Sequence, residues 1–456
     1  MAGIFKAYDV RGIVGEPLNA ERAYLIGRGI AHELFSGGTV AVSRDMRTHS
    51  PELAGALVRG LSEGGCNVRD YGLCATPMNY WAIVSSGADG GVQVTASHNG
   101  PQYNGFKVSG KGALPIDFSS GLDRVEAFVN NAEQSGTPAA AATPGTVETV
   151  AEAVEPYLEW MQGFVKPSGR ALKIGADCAN GMGGFFLTGF FARNPQLQAV
   201  PLFWELDGNF PNHEADPLKA ENLVPVQELV KVNGCDFGVS YDGDADRCMF
   251  VDEQGASVSS DLITALIAQE MLKSEQGPIL YDLRSSHAVP EVIREGGGDP
   301  VRNRVGHSFM KRTLRETGAQ FGGELSGHYN FRACHNTDSG LMAMIQVINI
   351  LGATQEPLSV LIAPLRRYSA TGEINYRVPD VAQTIQKIES HYGAQGAQLD
   401  YMDGLTVELP EWWFNLRSSN TEPLLRLNLE ARTPQERDAH LADVQAIIGA
   451  QPAVSH

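Results

Sequence analysis

Residues 51–100 read PELAGALVRGLSEGGCNVRDYGLCATPMNYWAIVSSGADGGVQVTASHNG. Apolar residues recur at helical spacing over 51–64, and Gly64-Gly65 stops the run. Residues 67–71 then form a short strand that ends in a turn. The run 91–95 is short, apolar and β-branched, and it feeds the polar loop 96–100. The same order holds upstream, where a helix over 20–35 ends at Gly37-Gly38 and a strand follows over 39–43. Strands alternating with helices indicate α/β layers.

The pattern repeats downstream. Residues 134–149, QSGTPAAAATPGTVET, are small and nearly uncharged, which predicts a linker. A new unit opens with a strand over 172–176 and the turn Asn180-Gly181-Met182-Gly183-Gly184. That turn lacks the full G-x-G-x-x-G spacing and an acidic partner, so it is a poor dinucleotide fingerprint. Strands are expected over 237–241 and 248–251, joined by the loop 242–247. A third unit begins with a helix over 260–273, contains a strand over 279–283 and ends near Arg367. After Tyr368 the style changes: a strand over 372–378, a helix over 381–392, strands over 404–409, 413–417 and 424–431, and a helix over 434–448 predict a small α+β domain. The expected domains are 1–145, 146–254, 255–367 and 368–456.

A length of 456 residues already argues against a single compact core, since domains average about 150 residues. With 43 % apolar and 19 % charged residues, the chain cannot be disordered. The net charge of −18 opposes a general nucleic-acid or acidic-membrane surface. An anionic ligand would have to meet positive charge concentrated locally. The cysteines form no C-x-x-C pair and no zinc spacing, which fits a reducing compartment. No signal-like segment and no run of about 18 apolar residues is visible. A cytoplasmic globular protein is expected.

Four loops carry chemistry. Asp242, Asp244 and Asp246 alternate on one tight turn, a hard-oxygen set suited to Mg²⁺ or Ca²⁺. An EF-hand is opposed by Arg247 at the position that needs glycine, and by flanks that read as strands. Arg247 beside a metal loop makes sense if both neutralise a phosphate. Ser97 lies in TASHNG (95–100), beside His98 and ten residues before Lys107. A serine among imidazole, amide and ammonium groups can carry a phosphoryl group. GGELSGH (322–328) offers Glu324, Ser326 and His328 to paired sugar hydroxyls. RSSNTEP (417–423) offers a guanidinium, hydroxyls and an amide to a phosphate monoester.

Together these motifs resemble those of the α-D-phosphohexomutases, in the same order and over nearly the whole chain, from FKAYDVRG (5–12) onward. The resemblance implies an α/β protein: three related α/β domains with mixed sheets plus a smaller C-terminal α+β domain around a central cleft. It implies that Ser97 is a phosphoserine and that Asp242, Asp244 and Asp246 hold Mg²⁺ together with a phosphoserine oxygen. By the same resemblance Glu324, Ser326 and His328 read the sugar, and Arg417, Ser419, Asn420 and Thr421 clamp the phosphate that is not transferred. Tyr8, Arg11, His98, Lys107, Arg247, Arg284 and His307 fall where the family lines its cleft, and Lys107, His307 and Arg11 are its candidates for acid–base work. Two departures stand out: Gly100 replaces a common proline, which would loosen the serine loop, and Arg284 replaces a common lysine.

The implied reaction moves phosphate between the 1- and 6-positions of a hexose phosphate through a hexose 1,6-bisphosphate, which also serves as activator. Leu325, between Glu324 and Ser326, resembles the mannose/glucose group rather than the glucosamine group. Mannose is expected, with glucose or dual specificity as the alternative. A metal-dependent phosphatase and a non-catalytic Ca²⁺ module are the competing classes. A hydrolase needs no clamp for a second phosphate, and a Ca²⁺ module needs no serine loop.

Overall fold

The computed structural model describes residues 3–418 and 424–453. The described residues form four sheets, and the first takes in Val147–Thr149, past the expected boundary at 145. In the first, strands run in the order Val10–Ile13, Tyr103–Gly110, Gly90–Val94, Thr39–Arg44, Asn67–Leu73 and Val147–Thr149. Thr39–Arg44 pairs parallel with both its neighbours, whereas Tyr103–Gly110 is antiparallel to Gly90–Val94, so the sheet is mixed. Helices Ala20–Glu33 and Ser50–Glu63 cross at glycines. A Cβ on Gly27 would lie 2.4 Å from Leu57 O, and one on Gly60 would lie 2.2 Å from Tyr24 O.

The second sheet places Phe237–Tyr241 parallel to Leu172–Asp177 and antiparallel to Cys248–Asp252. The third places Pro278–Asp282 between parallel partners Asp299–Asn303 and Phe321–Gly323, and Tyr329–Phe331 then runs antiparallel. The fourth is antiparallel throughout, in the order Ser369–Tyr376, Leu425–Ala431, Trp412–Ser418, Leu405–Glu408, Gln398–Asp400, with helices Val381–Gly393 and Pro434–Ile448 packed on it. This is the expected fold class.

Two local expectations change. The segment 72–90 is not only a turn, because Thr76–Ser85 is a helix. It carries no amphipathic stripe because Met78, Tyr80, Ala82 and Ile83 are all buried, and an all-round apolar helix shows no face. The expected linker is docked, not free. Its start belongs to helix Leu122–Ser135, Ala141 and Gly145 donate backbone bonds to Glu63 O and Ser62 O, and Val147–Thr149 pairs with Asn67–Leu73. An exposed three-residue edge strand gives no periodic signal.

One buried cluster runs from Ala41 and Tyr71 through the second and third domains to Leu365, so one side of the first domain packs into a core shared by three, while a second cluster around Ile26, Leu57 and Phe106 lies within the first domain. The fourth has a separate core around Tyr376, Leu405, Phe414 and Leu427. Polar contacts join it to the third domain, among them Asp403 accepting from Val305 N and Glu430 from His287 N. Such a seam suits a domain that moves as a unit. All six cysteines are buried and unpaired. Among the described residues, no helix is long and apolar enough to cross a membrane.

Candidate active site

The strand Gly90–Val94 is buried along its length and delivers the chain into the serine loop. Ser97 has φ +52°, a left-handed conformation that non-glycine residues seldom adopt and that surrounding contacts must hold. Thr95 Oγ1 accepts from Ser97 N at 3.0 Å. Arg47 does more. Its guanidinium donates to the carbonyls of Ser97 (2.8 Å), Asn99 (2.6 Å), Gly100 (2.8 Å) and Tyr103 (3.1 Å), and its Nε to Asp45 at 3.2 Å. The Gly100 carbonyl is one of these anchors.

Ser97 Oγ donates to Asp242 Oδ2 at 2.9 Å and lies 3.3 Å from His98 Nδ1. Asp242 opens the expected loop between two strands of the second sheet. A Cβ on Gly243 would lie 2.4 Å from Ser97 O, so only glycine lets the two loops meet. The glycine turn at 180–184 has its use here: Met182 N donates to Gly243 O at 2.9 Å. It braces the acidic loop.

Asp242, Asp244 and Asp246 are fully buried, and their carboxylate oxygens converge closely enough for one metal ion. Lys107 Nζ bonds Asp244 Oδ2 (2.7 Å) and Asp246 Oδ2 (2.5 Å), while Arg247 Nε bonds Asp242 Oδ2 (2.9 Å). Among the described residues, the remaining oxygens Asp244 Oδ1 and Asp246 Oδ1 are buried without a hydrogen-bond partner. Two unmatched anionic oxygens in a hard donor set fit a divalent cation. Burial and the neighbouring Asp246 push the Asp242 carboxyl well up. Burial opposes charge on Asp246 too, but Lys107 and Arg247 overcome it and hold that carboxyl low. Burial likewise opposes charge on Lys107, and Asp244 and Asp246 outweigh it, so this ammonium stays protonated.

The other candidates join in sequence around the cleft. Arg11 Nη1 donates to Asn99 Oδ1 at 2.6 Å. The Tyr8 and His307 rings lie 5.9 Å apart, and His307 stacks on His328 at 5.5 Å. His328 Nε2 is 3.6 Å from Asp246 Oδ1, and its Nδ1 lies 3.0 Å from Ser326 Oγ. His98, His307 and His328 are all held well below the usual imidazole range by burial first, and then by the nearby cations. They are neutral rings at neutral pH. Glu324 is buried beside Asp282 and Asp338, and burial followed by those charges pushes its carboxyl up to about 8. Leu325 N donates to Asp282 Oδ2 (3.2 Å), which also pairs with Arg284. Arg284 and Arg417 then meet at Glu373. Ser419, Asn420 and Thr421 lie outside the described residues, as does Glu422.

Several residues here gave no sequence signal. Thr76 donates its hydroxyl to Asp244 Oδ2, and the buried Lys311 bonds Asp338 (2.9 Å) and Tyr80 OH (2.9 Å) beneath the histidines. Arg47 and Glu373 belong with them. Each has a contact that spans 44 residues or more of sequence, so no local spacing betrays it.

A serine fixed against a buried acidic, metal-competent loop, with the loop from Glu324 to His328 and a guanidinium cluster beyond, has the parts that phosphotransfer chemistry needs. The chain belongs to the phosphoglucomutase/phosphomannomutase family. Its alpha/beta/alpha domains I, II and III match residues 2–136, 155–255 and 259–368, and its C-terminal domain matches 373–446. The chain is 38 % identical over 432 residues to the phosphohexose mutases protein of Xanthomonas campestris, covering 94 % of this chain and 95 % of that one. It is 35 % identical over 436 residues to a phosphomannomutase of Escherichia coli, covering 94 % and 95 %. The crystal structure of a phosphoglucomutase/phosphomannomutase family protein from Burkholderia thailandensis superposes with a TM-score of 0.88 at 33 % identity, covering 98 % of each chain.

Proposed function

We propose that this enzyme interconverts mannose 1-phosphate and mannose 6-phosphate, with Ser97 as the phosphoryl carrier. The observation that carries the mechanism is the placement of Ser97 Oγ on Asp242, flanked by Arg247 and the Lys107-paired Asp244 and Asp246. The free sugar hydroxyl attacks phosphorus on phosphorylated Ser97. The bond from phosphorus to Ser97 Oγ breaks as the new one forms, leaving a mannose 1,6-bisphosphate. After the intermediate turns around, Ser97 Oγ attacks the other phosphate and the monophosphate leaves. The activator is the same bisphosphate, which recharges Ser97.

Lys107 and Arg247 are fixed cations that offset charge on the transferring group without rearranging. Because its two carboxylate partners keep Lys107 protonated, it does not serve as a base. The neutral His307 is free to accept the proton of the attacking hydroxyl, and its buried Nδ1 has no partner among the described residues. Asp242, Asp244 and Asp246 would hold Mg²⁺, which supplies Lewis-acid stabilisation of the phosphoryl oxygens. Glu324 and Ser326 would bond hydroxyls common to both orientations of the sugar. Arg417 and Arg284 form a second cationic cluster at the third and fourth domains, which a hydrolase of monophosphates would not require.

Mannose rests on Leu325 and on the names of the relatives. The test is a coupled assay of mannose, glucose and glucosamine 1-phosphates with Mg²⁺ and trace bisphosphate. Mannose 1-phosphate is expected to give the highest kcat/KM. Preference for glucosamine 1-phosphate would overturn the substrate, and release of inorganic phosphate in place of the isomer would overturn the reaction.

A further inference from the structure

Arg417 and Arg426 face each other across neighbouring strands Trp412–Ser418 and Leu425–Ala431. Like charges directly opposite one another are destabilising. A third strand resolves the conflict. Glu373, on Ser369–Tyr376, reaches Arg417 Nη2 with Oε2 at 2.5 Å and Arg426 Nη1 with Oε1 at 3.4 Å. The same Oε2 lies 3.5 Å from Arg284 Nη1, which belongs to the third domain. Arg284 is itself anchored by Asp282, with Nε 3.0 Å from Oδ1. One carboxylate thus gathers three guanidiniums from two domains.

Glu373 reaches this face at the start of a regular run of its strand. The register runs from Ala370 opposite Glu430 to Glu373 opposite Asn428, so one extra residue is inserted before Glu373. Gly372, at φ +69°, takes the left-handed conformation that such a bulge needs. From Glu373 onward Ile374 and Tyr376 pair with Leu427 and Leu425 on the core face, while Glu373 and Asn375 pair with Asn428 and Arg426 on the other. That other face also carries Arg417, opposite Arg426, which sets the carboxylate among the guanidiniums. Glu373 occupies one edge of the Arg417 fork and leaves Nε buried without a partner among the described residues.

From this geometry we infer that Glu373 is a positioning residue of the phosphate clamp: it sets the Arg417 fork to receive the retained phosphate and ties that fork to Arg284 of the third domain. The inference rests on the clamp role given to Arg417 above. Glu373 touches guanidiniums and acts through them.

Steady-state kinetics of Glu373→Ala, Glu373→Gln and Glu373→Asp with mannose 1-phosphate test it. Gln keeps an acceptor oxygen at the same reach without the charge. Asp keeps the charge but is one methylene shorter. Positioning by reach predicts that Ala and Asp raise KM about ten-fold with kcat within about three-fold, while Gln stays within about three-fold of the native KM. If the Ala variant does not fold, the Gln–Asp pair decides alone. Unchanged KM in Ala and Asp overturns the proposal. So does a lower KM in Ala and Gln, which would make the carboxylate a competitor of phosphate. Arg417→Ala is the control: if its KM is also unchanged, the clamp reading itself fails, whereas a ten- to hundred-fold rise beside silent Glu373 variants sinks only the role of Glu373.

Discussion

Arg47→Met is expected to cost the enzyme its turnover while leaving most of the molecule folded. The Arg47 side chain is fully buried and bonds four carbonyls of the serine loop together with Asp45. Methionine fills much of the volume and offers no donor. Breaking a buried pair from one side costs about 3–5 kcal/mol, because Asp45 keeps its charge without its cation. Each carbonyl left dry adds about 1–3 kcal/mol. Together these exceed what holding the loop 97–103 in place returns, so those residues open and water takes the vacated bonds. Ser97 then loses its left-handed conformation and its approach to Asp242. A misplacement of about 1 Å costs roughly a hundred-fold in rate, so kcat should fall at least that far. Arg47→Lys should restore stability in part and kcat hardly at all, since one ammonium cannot span four carbonyls and a carboxylate. Hydrogen exchange of amides 97–103, read beside kcat and the phosphate content of Ser97, checks this. Native kcat with unchanged exchange in Arg47→Met would show that the loop holds itself.

Ser97→Ala should abolish multiple turnover and remove the phosphate that mass spectrometry is expected to find on Ser97. Near-native turnover would end the carrier assignment. Asp244→Asn removes one of three buried carboxylates and half of the Lys107 anchor, so divalent-cation binding measured by calorimetry should be lost together with most activity. Native activity in a strong chelator would refute the metal role. Glu324, with its carboxyl raised to about 8, holds a proton in the fold that the unfolded chain releases near its ordinary 4.5. Stability from this group is therefore full below about 4.5 and fades as pH rises through about 8. Glu324→Gln mimics the protonated form, so its Tm should decline less than the native Tm between pH 5 and 8. Parallel curves would remove the raised carboxyl from the account.

Legibility in the sequence followed the range of the interaction. The acidic loop could be read because all three carboxylates lie within five residues between two apolar strands, and the structure keeps that arrangement. The serine, sugar and arginine loops are likewise contiguous. The supports were invisible because they are remote. Thr76 meets Asp244 across 168 positions, and Arg47 meets Ser97 across 50. Alternation with Ile374, Tyr376 and Val378 puts Glu373 on the polar face, but its partners Arg417 and Arg284 lie 44 and 89 positions away and gave no local sign. Helix Thr76–Ser85 was hidden for the opposite reason, being apolar on every side.

A chain of net charge −18 that binds a sugar phosphate must solve a charge problem, and it solves it differently at the two ends of its cleft. Around Ser97, three buried carboxylates crowd against only two cations, Lys107 and Arg247, and the crowding pushes the Asp242 carboxyl well up. A phosphoryl dianion cannot settle there alone. A divalent cation on the same oxygens would add the positive charge that a phosphoryl group then offsets, so the two enter as a pair that leaves the net charge unchanged. At the other end, among the described residues, three arginines face Glu373 and Asp282, and that balance is positive without a metal. A phosphate held there is bound by fixed cations, whereas a phosphate at Ser97 is only as secure as the metal beside it. With Ser97 and Arg417 in the roles proposed above, that asymmetry is what group transfer requires: one phosphate would stay with the clamp, and the other would be handed between Ser97 and the sugar at little electrostatic cost.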